Sequence, residues 1–115
     1  MAGVAGAKTG TPGPAYFAGI YERVGRDNAG QFLNDLVTIT PAGRDLTIAA
    51  CSGPSIQLGF GPAFEIVNLM SGMQGDDQVE CLFHNNGYNY PILTCRTSGG
   101  AVFTLWPKEN LDKAC

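Results

Sequence analysis

The sequence predicts an all-β domain. It reads as a small antiparallel meander of about eight short strands, barrel-like or folded as a sandwich, with a short C-terminal helical turn. Three observations predict this. Apolar residues alternate with polar ones over several short runs, as in Ile56-Gln57-Leu58-Gly59-Phe60. Turn residues recur at near ten-residue spacing. No stretch carries a sustained helical period, and 16 Gly and 7 Pro in 115 residues, with charged residues at only 15%, suit many short elements joined by tight turns.

Taken in order, residues 1–14 are small and Gly-rich and read as a flexible N-terminal segment, leaving 15–115 as a single β domain. Tyr16 to Val24 reads as the first strand, with Phe17 a candidate for the interior. Arg26 to Asn34 reads as an irregular connection with one helical turn around Phe32 and Leu33. Leu36–Thr40 and Leu46–Cys51 flank Pro41-Ala42-Gly43-Arg44-Asp45, a five-residue hairpin loop. Gly53-Pro54 breaks the chain before the Ile56–Phe60 strand, and Gly61-Pro62 turns it again. Ala63–Met70 reads as a strand because Phe64 and Ile66 alternate with Glu65 and Val67, and Ser71–Asp77 reads as a polar loop. Val79–His84 and Tyr88–Cys95 form a hairpin, Arg96–Gly100 a turn, and Ala101–Trp106 the last strand. Pro107 suits the first position of a closing helical turn that would carry Leu111 and Cys115.

Asn86-Gly87 is a strong two-residue hairpin signal, because a type I′ turn needs positive φ at both central residues. That register sets Phe83 opposite Tyr90 and Cys81 opposite Ile92, with Cys95 on the outer face. Cys81 and Cys95 are then expected not to bond to each other. Cys51–Cys81 with Cys95–Cys115 is the preferred pairing, and Cys51–Cys95 with Cys81–Cys115 the next. Pro91 lacks the amide proton that its other neighbour needs, so a barrel is expected to split near Pro91.

Four Cys spaced 30, 14 and 20 apart do not form the close pairs of a zinc site and read as two disulfides, which implies an oxidising compartment, periplasmic or secreted. The N-terminus has neither a basic start nor a long apolar stretch, so it reads as a mature segment whose signal peptide is removed, with Met1 added. The net charge of −3 and the scatter of seven Lys and Arg argue against nucleic acid as partner. The longest apolar runs are too short for a transmembrane segment, which needs about 20 residues.

Candidate chemistry is thin. His84 is the only His, and Glu80 lies four residues away along the same strand, beyond reach of a shared proton or metal. Gly75-Asp76-Asp77 lacks the spaced acids of a calcium loop, and Gly59-Phe60-Gly61 lacks the rest of a phosphate cradle. No catalytic residue, metal or cofactor is expected. The segment from His84 to Tyr90 stands out, since Tyr and Asn in one exposed tip match protein-binding surfaces. Asn85, Asn86, Tyr88 and Asn89, with His84 at the margin, are the expected binding residues. Trp106 reads as a core plug or an exposed anchor.

Ser98-Gly99-Gly100-Ala101-Val102-Phe103, followed by Trp106 and Lys108, resembles the Ser-Gly-x-x-Tyr and Trp-x-Lys-Gly segments of the membrane-bound lysozyme inhibitors. The match covers about a tenth of the chain, with the Tyr replaced, the final Gly missing and the spacing compressed. It implies a small exported inhibitor barrel. The expected function is that of an exported binding protein, an enzyme inhibitor or envelope-associated factor, with a protein partner. The alternative is a carrier holding a small apolar ligand among Ile56, Leu58, Phe60, Phe64 and Ile66, and a homodimer is left open.

Overall fold

The computed structural model describes residues 13–85 and 91–108. Eight antiparallel strands close into a barrel in simple sequence order: β1 (Gly19–Arg26), β2 (Phe32–Ala42), β3 (Asp45–Ala50), β4 (Ile56–Gly59), β5 (Leu69–Gln74), β6 (Asp77–Asn85), β7 (Pro91–Thr97) and β8 (Val102–Lys108). β8 returns to pair with β1 through Ile20↔Lys108 to Arg26↔Val102, so no edge is left open among the described strands. Inward-facing residues meet in one interior that includes Tyr21, Val37, Ile39, Leu46, Ile48 and Leu58. Period-two burial along each strand is what gathers them there.

The first expected strand is divided. Pro14–Phe17 forms a 3-10 turn, and β1 begins only at Gly19. Phe17 does face inward and is fully buried. The expected irregular connection is shorter than Arg26–Asn34, because Phe32, Leu33 and Asn34 already pair with β1. Asp27 closes that turn locally: its Oδ1 accepts the amides of Ala29 and Gln31, both at 2.9 Å. The five-residue hairpin loop contracts to two residues, since Pro41 pairs with Leu46 and Ala42 with Asp45. Gly43 takes φ 66° while Arg44 does not, the type II′ pattern that matches strand twist.

Pro62–Val67 is a short helix, α1, where alternation had suggested a strand. Its ends carry the better signals: Pro at the first turn and Asn68 in the left-handed region at φ 61°. Phe64 is buried, whereas Ile66 is 81% exposed. Ser71–Asp77 is no loop either: β5 runs to Gln74, and Gln74 pairs with Asp77 across a two-residue turn. Gly72 faces inward between Leu58 and Val79, and a Cβ there would lie 1.6 Å from the Gln57 carbonyl oxygen. Only Gly lets β4 and β5 approach so closely.

The β6–β7 register overturns the expected disulfides. Cys81 pairs with Cys95 rather than Ile92, and Asn85 pairs with Pro91, so five residues separate the paired ends instead of two. A slip of three residues is odd, and an odd slip exchanges the faces of a strand. Leu93 and Cys95 therefore point inward, and Cys81 bonds to Cys95. This excludes both Cys51–Cys81 with Cys95–Cys115 and Cys51–Cys95 with Cys81–Cys115. Cys51 is also disulfide-bonded, to a partner outside the described residues.

The barrel does not split at Pro91, yet the proline leaves a trace. The β7–β8 ladder runs from Leu93↔Leu105 to Arg96↔Val102 and stops there. Two steps beyond Leu93↔Leu105, past Ile92 and Trp106, that register would set Pro91 against Pro107, two residues with no amide proton to share. Trp106, Pro107 and Lys108 are extended in β8, which pairs with β1, so a helical turn does not begin at Pro107. Residues 109–115 lie outside the described part.

Candidate open barrel mouth

Alternation of strand direction sorts the connections into two ends. One end carries the 3-10 turn, the Gly43-Arg44 turn and α1. It is stopped by aromatic rings: Phe17 lies edge-on to Tyr16, Phe64 and Phe83 at 5.2, 6.4 and 5.2 Å, and Phe60 tilts against it at 5.7 Å. Below this stopper the Tyr21 hydroxyl donates to the Phe17 carbonyl at 2.8 Å. Burial, with a smaller push from Tyr16, raises the Tyr21 phenol well above its ordinary range.

Among the described residues the other end is open. A cleft of about 510 Å³ there is walled by the 27–29 loop, by Ser52, Gly53 and Pro54, and by Gln74 and Ala101. Its volume falls within the usual range for small-ligand sites, about 300–1,000 Å³. Arg23 and Asp35 face into it from paired positions on β1 and β2. Arg23 Nε donates to Asp35 Oδ1 at 2.8 Å and Nη2 to Oδ2 at 2.6 Å, a bidentate fork. The Arg23 side chain is 11% exposed and that of Asp35 40%. Beneath them the Phe103 ring centre lies 5.5 Å from the guanidinium carbon.

Asn28 ties the mouth loops together. Its Nδ2 donates to Asp77 Oδ2 at 2.7 Å, and its Oδ1 accepts from Thr97 Oγ1 at 2.7 Å and from the Ala101 amide at 3.0 Å. Gly99 must be Gly-sized for this, because a Cβ would sit 2.5 Å from Asn28 Nδ2. Ser98 exchanges bonds with Gln78, accepting its amide at 2.9 Å and donating its own to the carbonyl at 2.8 Å. The Ser98-Gly99-Gly100 segment thus serves as a pinned turn at the mouth rim.

His84 and Asn85, two of the residues expected from sequence, lie away from the mouth. His84 and Asn85 end β6 at the stoppered end, and Asn86, Tyr88 and Asn89 fall outside the described residues, as does the Asn85 side chain. His84 is exposed and its Nε2 shares a hydrogen bond with Thr94 Oγ1 at 3.1 Å. Glu80 is engaged by Arg96, whose Nε and Nη2 both donate to Oε1 at 3.0 and 2.7 Å. Trp106 is 45% exposed on the outer wall, not a core plug. There, Leu69, Leu82, Thr94 and Val102 line a shallow apolar depression of about 290 Å³.

Arg23 and Asp35 were missed because the 26–34 segment read as a loop, which hid where β2 begins. The usable signal was parity: Arg23 sits two residues from Tyr21, and Asp35 two from Val37, both on inward rows. No family model, curated protein or solved structure matches this chain.

Proposed function

We propose that this chain is a small binding protein of an oxidising compartment, exported and disulfide-stapled, that holds a small polar ligand at the open mouth of its barrel. One observation carries the reading. Among the described residues the barrel is stoppered with aromatic rings at one end and open at the other, over an Arg–Asp pair set among inward-facing residues. A barrel needing only a core would be better served by apolar residues at Arg23 and Asp35, because desolvating an ion pair costs about what the pair returns. The disulfides support the compartment.

The reading includes no catalytic step. It moves the contact surface away from His84–Asn89 and replaces the interior apolar ligand with one at the mouth. Ile56, Leu58 and Phe64 pack within the core, and Ile66 points to solvent. Native mass spectrometry of the protein taken from its own compartment tests it. A stoichiometric small-molecule adduct, displaced when Ser52 and Gln74 are both changed to bulky Trp, is the expected result. An adduct-free protein, or one whose adduct survives that block, would overturn it.

A further inference from the structure

We infer that the mouth recognises an uncharged amide, its carbonyl oxygen on the free edge of Arg23 and its N–H directed to a cleft carboxylate. This rests on the mouth being the binding site and adds what it binds. Arginine has five N–H donors in a planar fork. Asp35 takes two, one from Nε and one from Nη2, and no other hydrogen bond of Arg23 exists among the described residues. Three N–H are left over, two on Nη1 and one on Nη2. No buried side-chain nitrogen or oxygen among the described residues lacks a partner, so the unpartnered Nη1 keeps contact with solvent, and Arg23 lines the cleft. Asp35 and the Phe103 ring hold this edge in place before any ligand arrives.

Charge then selects the ligand. The cleft lining carries one cation, Arg23, and two carboxylates, Asp27 and Asp35. A carboxylate or phosphate reaching the Arg23 edge would meet both acids, and a cation would meet the guanidinium. A neutral amide avoids both conflicts. Its carbonyl oxygen has two in-plane lone pairs for the Nη1 and Nη2 protons. Its N–H can be taken by Asp27, whose Oδ1 is occupied by the Ala29 and Gln31 amides while Oδ2 accepts no hydrogen bond among the described residues. A small carboxamide and a peptide backbone share this chemistry.

The test is titration of the isotope-labelled full chain, followed by backbone amide and Arg Nε–H NMR signals. The probes are benzamide, its isosteric carboxylate benzoate, a capped neutral diglycine amide, and glucose. The expected result is that benzamide or the diglycine amide shifts the signals of Arg23, Ala29 and Ala101. Benzoate should bind about tenfold more weakly, the size expected for one unscreened like charge nearby. Response to benzamide alone assigns a small carboxamide, and response to the diglycine amide a peptide. Arg23→Lys, which keeps the charge but loses the fork, should weaken amide binding about tenfold. Asp35→Asn should leave signal dispersion intact and narrow the benzamide–benzoate gap at least several-fold. Benzoate or glucose binding as tightly as both amides would overturn the amide assignment and leave the mouth as the site. Silence from every probe, in a protein that still carries a mouth-blocked adduct by mass spectrometry, would overturn the assignment in the same way.

Discussion

Asn28 is exposed, yet its amide group bonds at once to Asp77, Thr97 and Ala101, which belong to two other connections at the mouth. A side chain that donates on one edge and accepts on the other is required, and Asn supplies both. Asn28→Ala is expected to cost about 1–3 kcal/mol, a net sum of modest hydrogen bonds, and to loosen the mouth before the barrel. Hydrogen exchange should show the Ala101 amide losing protection while amides of Leu46 and Ile48 keep theirs. Tyr21 works by the opposite logic, as a buried phenol kept neutral. Its folded-state pKa lies above the unfolded value of about 10, so its contribution is fully present below that pH. Above about pH 10 the unfolded phenol ionises first and stability falls. Tyr21→Phe should cost about 1 kcal/mol at neutral pH through the lost bond to Phe17, and should flatten the alkaline fall in Tm relative to the parent.

At the scale of elements, the β6–β7 hairpin shows how much a connection decides. Asn86-Gly87 is a good turn dipeptide, and a two-residue turn there would have put Ile92 in the place Cys95 occupies. The cross-strand packing of Leu93 and Leu105 and the bond between Cys81 and Cys95 favour the longer connection. Burying Leu93 and Cys95 while leaving Arg96 exposed is worth more than an ideal turn. The disulfide closes a segment of about 15 residues, for which chain entropy gives roughly 3 kcal/mol. Replacing Cys81 and Cys95 together by Ala should therefore lower stability by about 2–4 kcal/mol, read as a shift in the denaturant midpoint. An unchanged midpoint would show that the hairpin is held by its ladder alone. α1 makes the same point on a smaller scale. Phe64 and Ile66 alternate with Glu65 and Val67 in the manner of a strand, but Gly61-Pro62 and Asn68 carry the information about its ends.

The whole molecule is a barrel with two unlike ends. The stoppered end depends on Phe17, which is fully buried against four other rings. Phe17→Ala should cost about 3–5 kcal/mol, the usual range for a large aromatic removed from a core. Because Phe17 lies in the 3-10 turn and not in a strand, far-UV circular dichroism at low temperature should change little while Tm falls. A large loss of β signal in that variant would mean that the turn nucleates the barrel instead of capping it.

The strand-rich class, the approximate count of strands and most of the inward rows were legible from residue order alone. Leu46 and Ile48, Ile56 and Leu58, and Val79 and Cys81 could all be placed because alternation is a local property of consecutive residues. It left the candidate site largely unreadable. Which residues share the mouth depends on how 26–34, 51–55, 74–77 and 97–101 come together around a closed sheet, and no local pattern records that. Arg23 and Asp35 are twelve positions apart, and Asn28 meets residues 49, 69 and 73 positions away. Register, and with it the disulfide, was settled by the assembled sheet, because a register is chosen by the total burial of both faces and a one-residue change exchanges them all.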